Sequence, residues 1–336
     1  MRGHAMRLFV LIPCRNEARV IARKLENLRG LRFPAAAAPH RVIVVDDHSS
    51  DDTRALAAAF GAELQSGVEL RVIASADRPG KPGAMRAGLA LLEPGFDLVV
   101  LSDADVLLEP DSLLALSQAF EARAELGMAC GAQVFLDPLS GAQAGAPWDR
   151  WTARWRALES RAGALYSVHG QLLAWRAALA LVPPLGVAAD DIALALEVRA
   201  RGLRVERVPR AVFIEHKTPA GADADAQAVR RARAYLQVVR AVRPRLPSAL
   251  GRVQCALYRE LPPMAPLLTW IACCVLALGG AALLNGWWRT LPAALIVMAL
   301  LSPPGRRWLA LMGIIARARR LERSGPQPEA WEMSRS

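Results

Sequence analysis

Cysteine is scarce in this chain, and its spacing excludes several classes of small stabilised domain. The 336 residues contain five cysteines, an odd number, and none forms a Cys-x-x-Cys pair. A disulfide framework or a structural zinc site is therefore unexpected, and a reducing compartment fits the composition. Internal repeats with a period of about 20 to 50 residues are also missing, which argues against a repeat architecture.

We expect no secretory leader at the N-terminus, whereas the C-terminal third is rich in apolar residues. The stretch after Met6 has only about six apolar residues, too few for the core of a signal peptide. Residues 264–284 carry no charge and are long enough to span a bilayer. A shorter apolar run at 291–301 follows two tryptophans and precedes an arginine-rich tail. A buried core helix is the alternative for the first segment, and a re-entrant or interfacial helix for the second.

These segments predict a chain that is attached to the inner membrane at its C-terminal end. Positive residues favour the cytoplasmic side, so a two-span hairpin would leave both ends of the chain in the cytoplasm. We expect a cytoplasmic α/β domain at 1–245, an amphipathic interfacial helix at 246–262, a hairpin at 263–303 and a basic tail at 304–336. The protein would then be a multi-pass membrane protein.

The charge balance is strongly basic, with a formal net charge of +11. Nucleic acid is a common partner for such chains. Here, however, the arginines cluster downstream of the acidic motifs and around the apolar segments. This distribution favours a membrane surface and ligands that carry phosphate, and nucleic acid is not expected as a partner.

Hydrophobic periodicity in the first half predicts alternating strands and helices. Short apolar runs at 8–12, 42–45, 70–73 and 98–101 read as buried strands, with helical patterns between them. This order predicts an α/β fold with a mostly parallel sheet and helices on both faces. Ligands of such sheets bind at the carboxyl ends of the strands.

Polar motifs stand at these carboxyl ends. Ile-Pro-Cys-Arg-Asn-Glu at 12–17 can turn backbone N–H groups and Arg15 towards a nucleotide. Asp47 can accept hydrogen bonds from a base or ribose, and Lys81, in a Gly-rich stretch, offers a charge for phosphate. Asp103 and Asp105 follow a buried run, where a cation holding a diphosphate would relieve their repulsion. Each motif alone also fits a helix cap, a surface turn or a strand end.

Together and in this order, the motifs resemble the inverting family 2 glycosyltransferases, which have the GT-A fold. The resemblance rests on LIPCRNE, VIVVDDHSSDDT, RPGKPGAMRAGL and DLVVLSDADVLLEPDSL, and extends from residue 7 to about residue 243. It implies that Asp103 and Asp105 bind Mg²⁺ or Mn²⁺ and the donor diphosphate, with Asp105 as the direct metal ligand. The remaining predicted donor-binding residues are Pro13, Arg15, Glu17, Asp47 and Lys81.

Two downstream motifs extend the resemblance. Asp191, preceded by Asp190, matches the carboxylate that serves as catalytic base, although helix capping is the alternative role. Gln227 and Arg230 match a Gln-x-x-Arg-Trp motif that binds the donor, with Arg231 in place of the tryptophan. That replacement puts processive polymerisation in doubt, and a solvated basic helix face is the alternative.

The resemblance implies transfer of a sugar from a nucleotide sugar, most simply a UDP-sugar, to a lipid acceptor. Similarity to ceramide glucosyltransferases and hopanoid-linked enzymes points the same way. A synthase that extends a cell-surface polysaccharide is the first alternative. A nucleotidyltransferase would need a glycine-rich phosphate loop where this chain has Pro-Cys-Arg-Asn-Glu. A non-catalytic nucleotide-sugar binder would not need the complete set of carboxylates.

Overall fold

A computed structural model describes most of the chain. It covers residues 6–76, 80–136, 143–144, 147–187, 189–216, 222–242 and 244–323. Within these ranges the strands are β1 (Leu8–Cys14), β2 (His40–Asp46), β3 (Glu63–Gln65), β4 (Val68–Ala74), β5 (Leu98–Ser102), β6 (Leu107–Leu108), β7 (Leu126–Leu136), β8 (Gln143–Ala144), β9 (Leu172–Arg176) and β10 (Arg204–His216). The α-helices are α1 (Ile21–Arg29), α2 (Thr53–Ala58), α3 (Lys81–Leu89), α4 (Ser112–Ala122), α5 (Pro147–Arg161), α6 (Asp190–Ala200), α7 (Ala222–Ala241), α8 (Ala249–Ala282), α9 (Leu291–Leu301) and α10 (Pro303–Arg323).

The strands form one mixed sheet in the order β3-β4-β2-β1-β5-β9-β7-β10-β6, with β8 paired to β7. The expected parallel arrangement holds for β4, β2, β1 and β5, and for the β7–β10 pair. Between these two groups β9 runs antiparallel to both β5 and β7. An apolar run in the sequence predicts a buried strand but not its direction, which is why the antiparallel strands were not distinguished.

Two apolar layers bury the sheet, as the continuous hydrophobic strands require. One layer packs α1, α2 and α4 against one face, where alternate residues of β1 such as Val10 and Ile12 point. The other packs α3 and α6 against Phe9, Leu11 and their neighbours. Gly88 lets α3 approach closely, since an added Cβ would lie 2.2 Å from Leu11 Cδ1. This packing fixes the strand ends that carry the polar motifs.

The chain divides into two compact units, and the second comprises 219–243 and 252–327. In it α10 packs against α7 and α9. The 34-residue helix α8 contains Pro262, Pro263 and Pro266, which lack the N–H that an α-helix needs. Pro262 therefore cannot donate to the carbonyl oxygen of Tyr258, four residues before it, and the Tyr235 hydroxyl donates to that oxygen at 2.6 Å.

Among the described residues, α8 is the one helix long and apolar enough to cross a membrane. The next apolar helix, α9, has 11 residues. A single helix runs through the expected boundary at residues 262 and 263, where we expected an interfacial helix to give way to a membrane span. The two-span hairpin and the proposed domain limits stay predictions.

Candidate active site

Three neighbouring parallel strands end at one edge of the sheet. Strand β1 pairs with β2 on one side and β5 on the other, with Cys14 opposite Asp46. The chain therefore leaves these strands at Arg15, Asp47 and Asp103, three positions that the sequence singled out. The register alone brings their backbones to one region of the molecule.

The turn after β1 is joined to the loop after β2. Pro13 is buried within β1, and Asn16 adopts a left-handed backbone with φ of 54°. The Asn16 side-chain oxygen accepts the Ser50 N–H at 2.9 Å, and the buried Glu17 donates its own N–H to Thr53 Oγ1 at 2.7 Å. These hydrogen bonds join the turn to the loop after β2, and the nucleotide contacts predicted for Pro13, Arg15 and Glu17 stay predictions.

Asp47 is fully buried and fixes the start of α3. Its Oδ2 accepts the N–H of Gly80 at 2.7 Å, and its Oδ1 lies 3.2 Å from His48 Nδ1. Gly80 has a φ of 123°, a conformation that favours glycine. Because Lys81 is the first residue of α3, the position of Lys81 depends on Asp47.

Lys81 connects α3 to the acidic motif. Its Nζ lies 2.6 Å from Asp103 Oδ1. Burial alone would lower the pKa of Lys81, but attraction to Asp103, Asp190 and Asp191 outweighs burial and raises that pKa above its usual value. Lys81 therefore stays charged among three carboxylates.

Asp105 is close to two other negative charges, those of Asp103 and Glu215. Loss of water around the carboxyl group, followed by repulsion from Asp103 and Glu215, raises the pKa of Asp105 to about 6. Carboxylate oxygens suit Mg²⁺ or Mn²⁺, and Mg²⁺ usually takes one or two carboxylates together with substrate phosphates. The donor set of Asp103 and Asp105 fits such an ion. No group of three or more His, Cys, Asp or Glu residues that could hold a metal occurs in the described part of the chain.

Asp190 and Asp191 open α6 at the same charged centre. Burial raises the pKa of Asp190 to about 6, and repulsion from Asp191 and Asp103 adds to this while Lys81 opposes it. The buried Oδ2 of Asp190 has no hydrogen-bond partner among the described residues. Burial likewise raises the pKa of Asp191, whose Oδ1 accepts the Ile192 N–H at 2.8 Å. Both carboxyls can therefore take up a proton more readily than an ordinary aspartate.

The loop before β9 lies against Asp191. A Cβ added to Gly170 would lie 3.1 Å from Asp191 Oδ2. The neighbouring His169 is buried, and its Nε2 lies 3.2 Å from Arg156 Nη1. The guanidinium can only donate, so His169 is the acceptor in this contact. Gln171 contributes its carbonyl oxygen, which accepts the Asp103 N–H at 3.2 Å.

Gln227, Arg230 and Arg231 all lie on α7, in the second unit. Burial, and then the charge of Arg231, lowers the pKa of Arg230. Their contact with a donor diphosphate stays a prediction.

Sequence reasoning missed Glu215. Strand β10 continues to His216 and brings Glu215 into line with Phe135 of β7. Both Gln133 and Gln171 donate to the Glu215 carboxylate, the latter at 3.5 Å. The sequence signal for Glu215 is that a charged residue directly follows the apolar run at 211–214. The closeness of Gly170 to Asp191 depends on tertiary structure, so the sequence alone does not predict it.

A family model described as glycosyltransferase-like family 2 matches residues 5–236, well over half of the chain. The chain belongs to this family. The resemblance drawn from the motifs is thereby confirmed. The matched range of this family 2 member contains the sheet and all the strand-end residues described above, and it reaches into α7.

Two curated relatives are similar to part of this family 2 member. Both are named beta-monoglucosyldiacylglycerol synthase. The one from Trichormus variabilis is 31% identical over 121 residues, 36% of this chain and 25% of the relative. The one from a Nostoc species is 31% identical over 112 residues, 33% of this chain and 23% of the relative. The matches thus span about a quarter of the length of each relative.

Solved structures share the fold. A mannosyltransferase from Pyrobaculum calidifontis, in complex with GDP-Man and Mn²⁺, has a TM-score of 0.73 at 24% identity and covers 95% of this chain and 87% of that chain. TarS from S. aureus, in complex with UDP, has a TM-score of 0.53 at 17% identity and covers 95% of this chain and 91% of that chain. At these identities the likeness establishes the fold alone, and the expected α/β fold of the GT-A type is confirmed.

Proposed function

We propose that this protein is an inverting glycosyltransferase that moves a sugar from a nucleotide sugar, most simply a UDP-sugar, to a lipid hydroxyl. Family membership supports glycosyl transfer. One observation carries the rest: the Lys81 ammonium contacts Asp103 and is attracted by Asp190 and Asp191 at the end of the parallel strands. Such a centre can bind a diphosphate on one side and accept a proton on the other.

The donor side consists of Asp47, Lys81 and the acidic motif. Asp47 offers buried carboxylate oxygens to the nucleoside while it fixes Gly80. Lys81 supplies a permanent positive charge for the phosphates. Asp103 and Asp105 would hold Mg²⁺ or Mn²⁺, which supplies positive charge to the departing nucleoside diphosphate. Pro13, Arg15 and Glu17, and on α7 Gln227, Arg230 and Arg231, complete the proposed donor set.

Asp191 is the proposed catalytic base. The acceptor hydroxyl attacks the anomeric carbon from the side opposite the leaving group, so the new carbon–oxygen bond forms as the bond to the diphosphate breaks. The hydroxyl proton passes to the Asp191 carboxylate, and the bonding electrons leave with the nucleoside diphosphate. Attack from the opposite side inverts the anomeric centre. The raised pKa of Asp191 suits it to take that proton.

A lipid acceptor is favoured by two observations. The two curated relatives carry names of glycerolipid glucosyltransferases, and α8 has the length and composition of a membrane segment. A catalytic unit anchored at the cytoplasmic face of the inner membrane would meet lipid head groups. We therefore propose a multi-pass membrane enzyme with its catalytic domain in the cytoplasm.

Replacement of Asp191 by Asn tests the proposal. The purified protein is incubated with UDP-glucose, UDP-galactose or GDP-mannose and a membrane lipid extract, and the product is identified by mass. We expect a glycolipid from the wild type and loss of transfer in Asp191→Asn, with UDP binding retained. Glu197→Gln, on the same helix and ion-paired with Arg201, is the matched control and should stay active. Turnover in Asp191→Asn would rule out this base, and no product with any donor would count against glycosyl transfer.

A further inference from the structure

Helix α1 carries a fully buried lysine that the proposed reaction does not use. Lys24 has no exposed surface and lies on the apolar face of α1 with Ile21, Leu25 and Leu28. Lysine is almost never fully buried unless its ammonium group is paired. The position therefore has to be explained by what the ammonium group contacts.

The Lys24 ammonium group contacts the two residues that flank the acidic motif at 103–105. Its Nζ donates to Ser102 Oγ at 2.7 Å and to the carbonyl oxygen of Val106 at 2.9 Å. Ser102 directly precedes Asp103, and Val106 directly follows Asp105. One nitrogen atom therefore joins the residue before the motif to the residue after it.

The same network reaches the loop beside the proposed base. Ser102 Oγ donates to the carbonyl oxygen of Gln171 at 3.2 Å, which also accepts the Asp103 N–H at 3.2 Å. Gln171 follows Gly170, whose backbone lies against Asp191. Lys24 is thus the inner end of a chain of hydrogen bonds that extends to the loop facing Asp191.

We propose that Lys24 is a positioning residue that holds the 103–105 turn in the geometry required to bind a divalent cation. This inference rests on the proposed metal-dependent function. Residues that orient metal ligands commonly contribute about tenfold to a hundredfold to metal affinity. Here one side chain bonds to the hydroxyl of the residue before the two ligands and to the backbone carbonyl of the residue after them, so its loss should allow the turn to relax.

The positive charge of Lys24 acts in the opposite direction. Burial lowers the pKa of Lys24 to about 7, while Asp103 and Asp105 oppose that shift. A charge beneath the turn would repel an incoming cation, so its removal would by itself strengthen cation binding. The positioning role therefore predicts weaker binding on removal of Lys24, and a purely electrostatic role predicts stronger binding.

The test is Lys24→Met, which fills the buried space and removes both hydrogen bonds. Binding of Mn²⁺ to the full-length protein is measured by the loss of the free-Mn²⁺ electron paramagnetic resonance signal, with and without UDP. We expect Mn²⁺ affinity about tenfold to a hundredfold weaker than in the wild type, and unchanged binding of UDP without metal. Ser102→Ala, which removes one acceptor and leaves Lys24 in place, should weaken Mn²⁺ binding by a smaller factor.

Two controls separate positioning from general damage. Arg23→Met removes a positive charge from an exposed position on the same helix and should leave Mn²⁺ affinity unchanged. Leu25→Ala removes core packing from α1 and should lower the melting temperature without the loss of Mn²⁺ affinity.

The outcomes distinguish this inference from the function on which it rests. Mn²⁺ binding by Lys24→Met at wild-type strength or tighter would overturn the positioning role, as would an equal loss in Leu25→Ala. If Lys24→Met does not fold, wild-type affinity in Ser102→Ala would overturn it instead. A wild-type protein that binds no Mn²⁺ even with UDP would refute the proposed metal dependence, and this inference with it.

Discussion

Gly170 provides a sharp test of the geometry around the proposed base. Its backbone φ lies outside the left-handed region, so alanine can adopt the same conformation. The added Cβ of Gly170→Ala would lie 3.1 Å from Asp191 Oδ2 and 3.3 Å from Asp191 Cβ. Contacts of that length require the neighbour to move by a few tenths of an ångström. The side chain that must move is the proposed base.

The expected loss follows from that displacement. A misplacement of about 1 Å in an active site can cost about a hundredfold in rate, so a few tenths of an ångström should lower kcat about threefold to tenfold. Overpacking costs about 1–3 kcal/mol of stability, and the reduced freedom of the unfolded chain returns about 0.4–1 kcal/mol. We therefore expect a destabilisation of about 1 kcal/mol and an unchanged KM for the nucleotide sugar.

Steady-state transfer assays and thermal melting measure these quantities. Gly30→Ala is the matched control, because an added Cβ there would meet its nearest atom at 3.6 Å, and its kcat should equal that of the wild type. Gly170→Ala with wild-type kcat would refute the placement of Asp191 as base. A rise in donor KM with unchanged kcat would mean that the loop belongs to the donor side instead.

Two further predictions concern the cation and the second unit. Removal of divalent cations with EDTA should abolish sugar transfer, and excess Mn²⁺ should restore it. Without a cation, Asp103 and Asp105 only add negative charge beside the leaving diphosphate. Full activity after chelation and dialysis would contradict the proposed role of these two residues. Tyr235→Phe should lower stability by about 1 kcal/mol, measured by thermal melting in detergent, because the hydrogen bond from Tyr235 to the Tyr258 carbonyl is lost. An unchanged melting curve would show that this bond does not hold α7 to α8.

The fold and much of the candidate site could be predicted from local patterns. Apolar runs followed directly by Asp47 and Asp103 indicated both the strands and the edge at which they end, since parallel strands share that edge. The roles predicted for these residues were read from a resemblance, and they stay predictions until they are measured.

Lys24, Glu215 and α8 show what local patterns could not supply. A lysine on a helix is expected to face solvent, and only the packing of α1 beneath the acidic motif reveals otherwise. Pairing between β10 and β7, two strands that are distant in sequence, places Glu215 near the acidic motif. The sequence predicted a boundary at residues 262 and 263, but one helix continues through it, and a hydroxyl from α7 donates to the carbonyl of Tyr258, to which Pro262 cannot donate.

The prolines of α8 also bear on how deeply the protein could enter a bilayer. Pro263 and Pro266 cannot donate to the carbonyls of Arg259 and Pro262, and hydrocarbon offers no replacement donor. An inserted α8 would therefore keep these carbonyls at head-group level. The 16 residues from Leu267 to Ala282 then extend about 24 Å, less than the hydrocarbon thickness of about 30 Å. The helix would therefore suit a locally thinned bilayer.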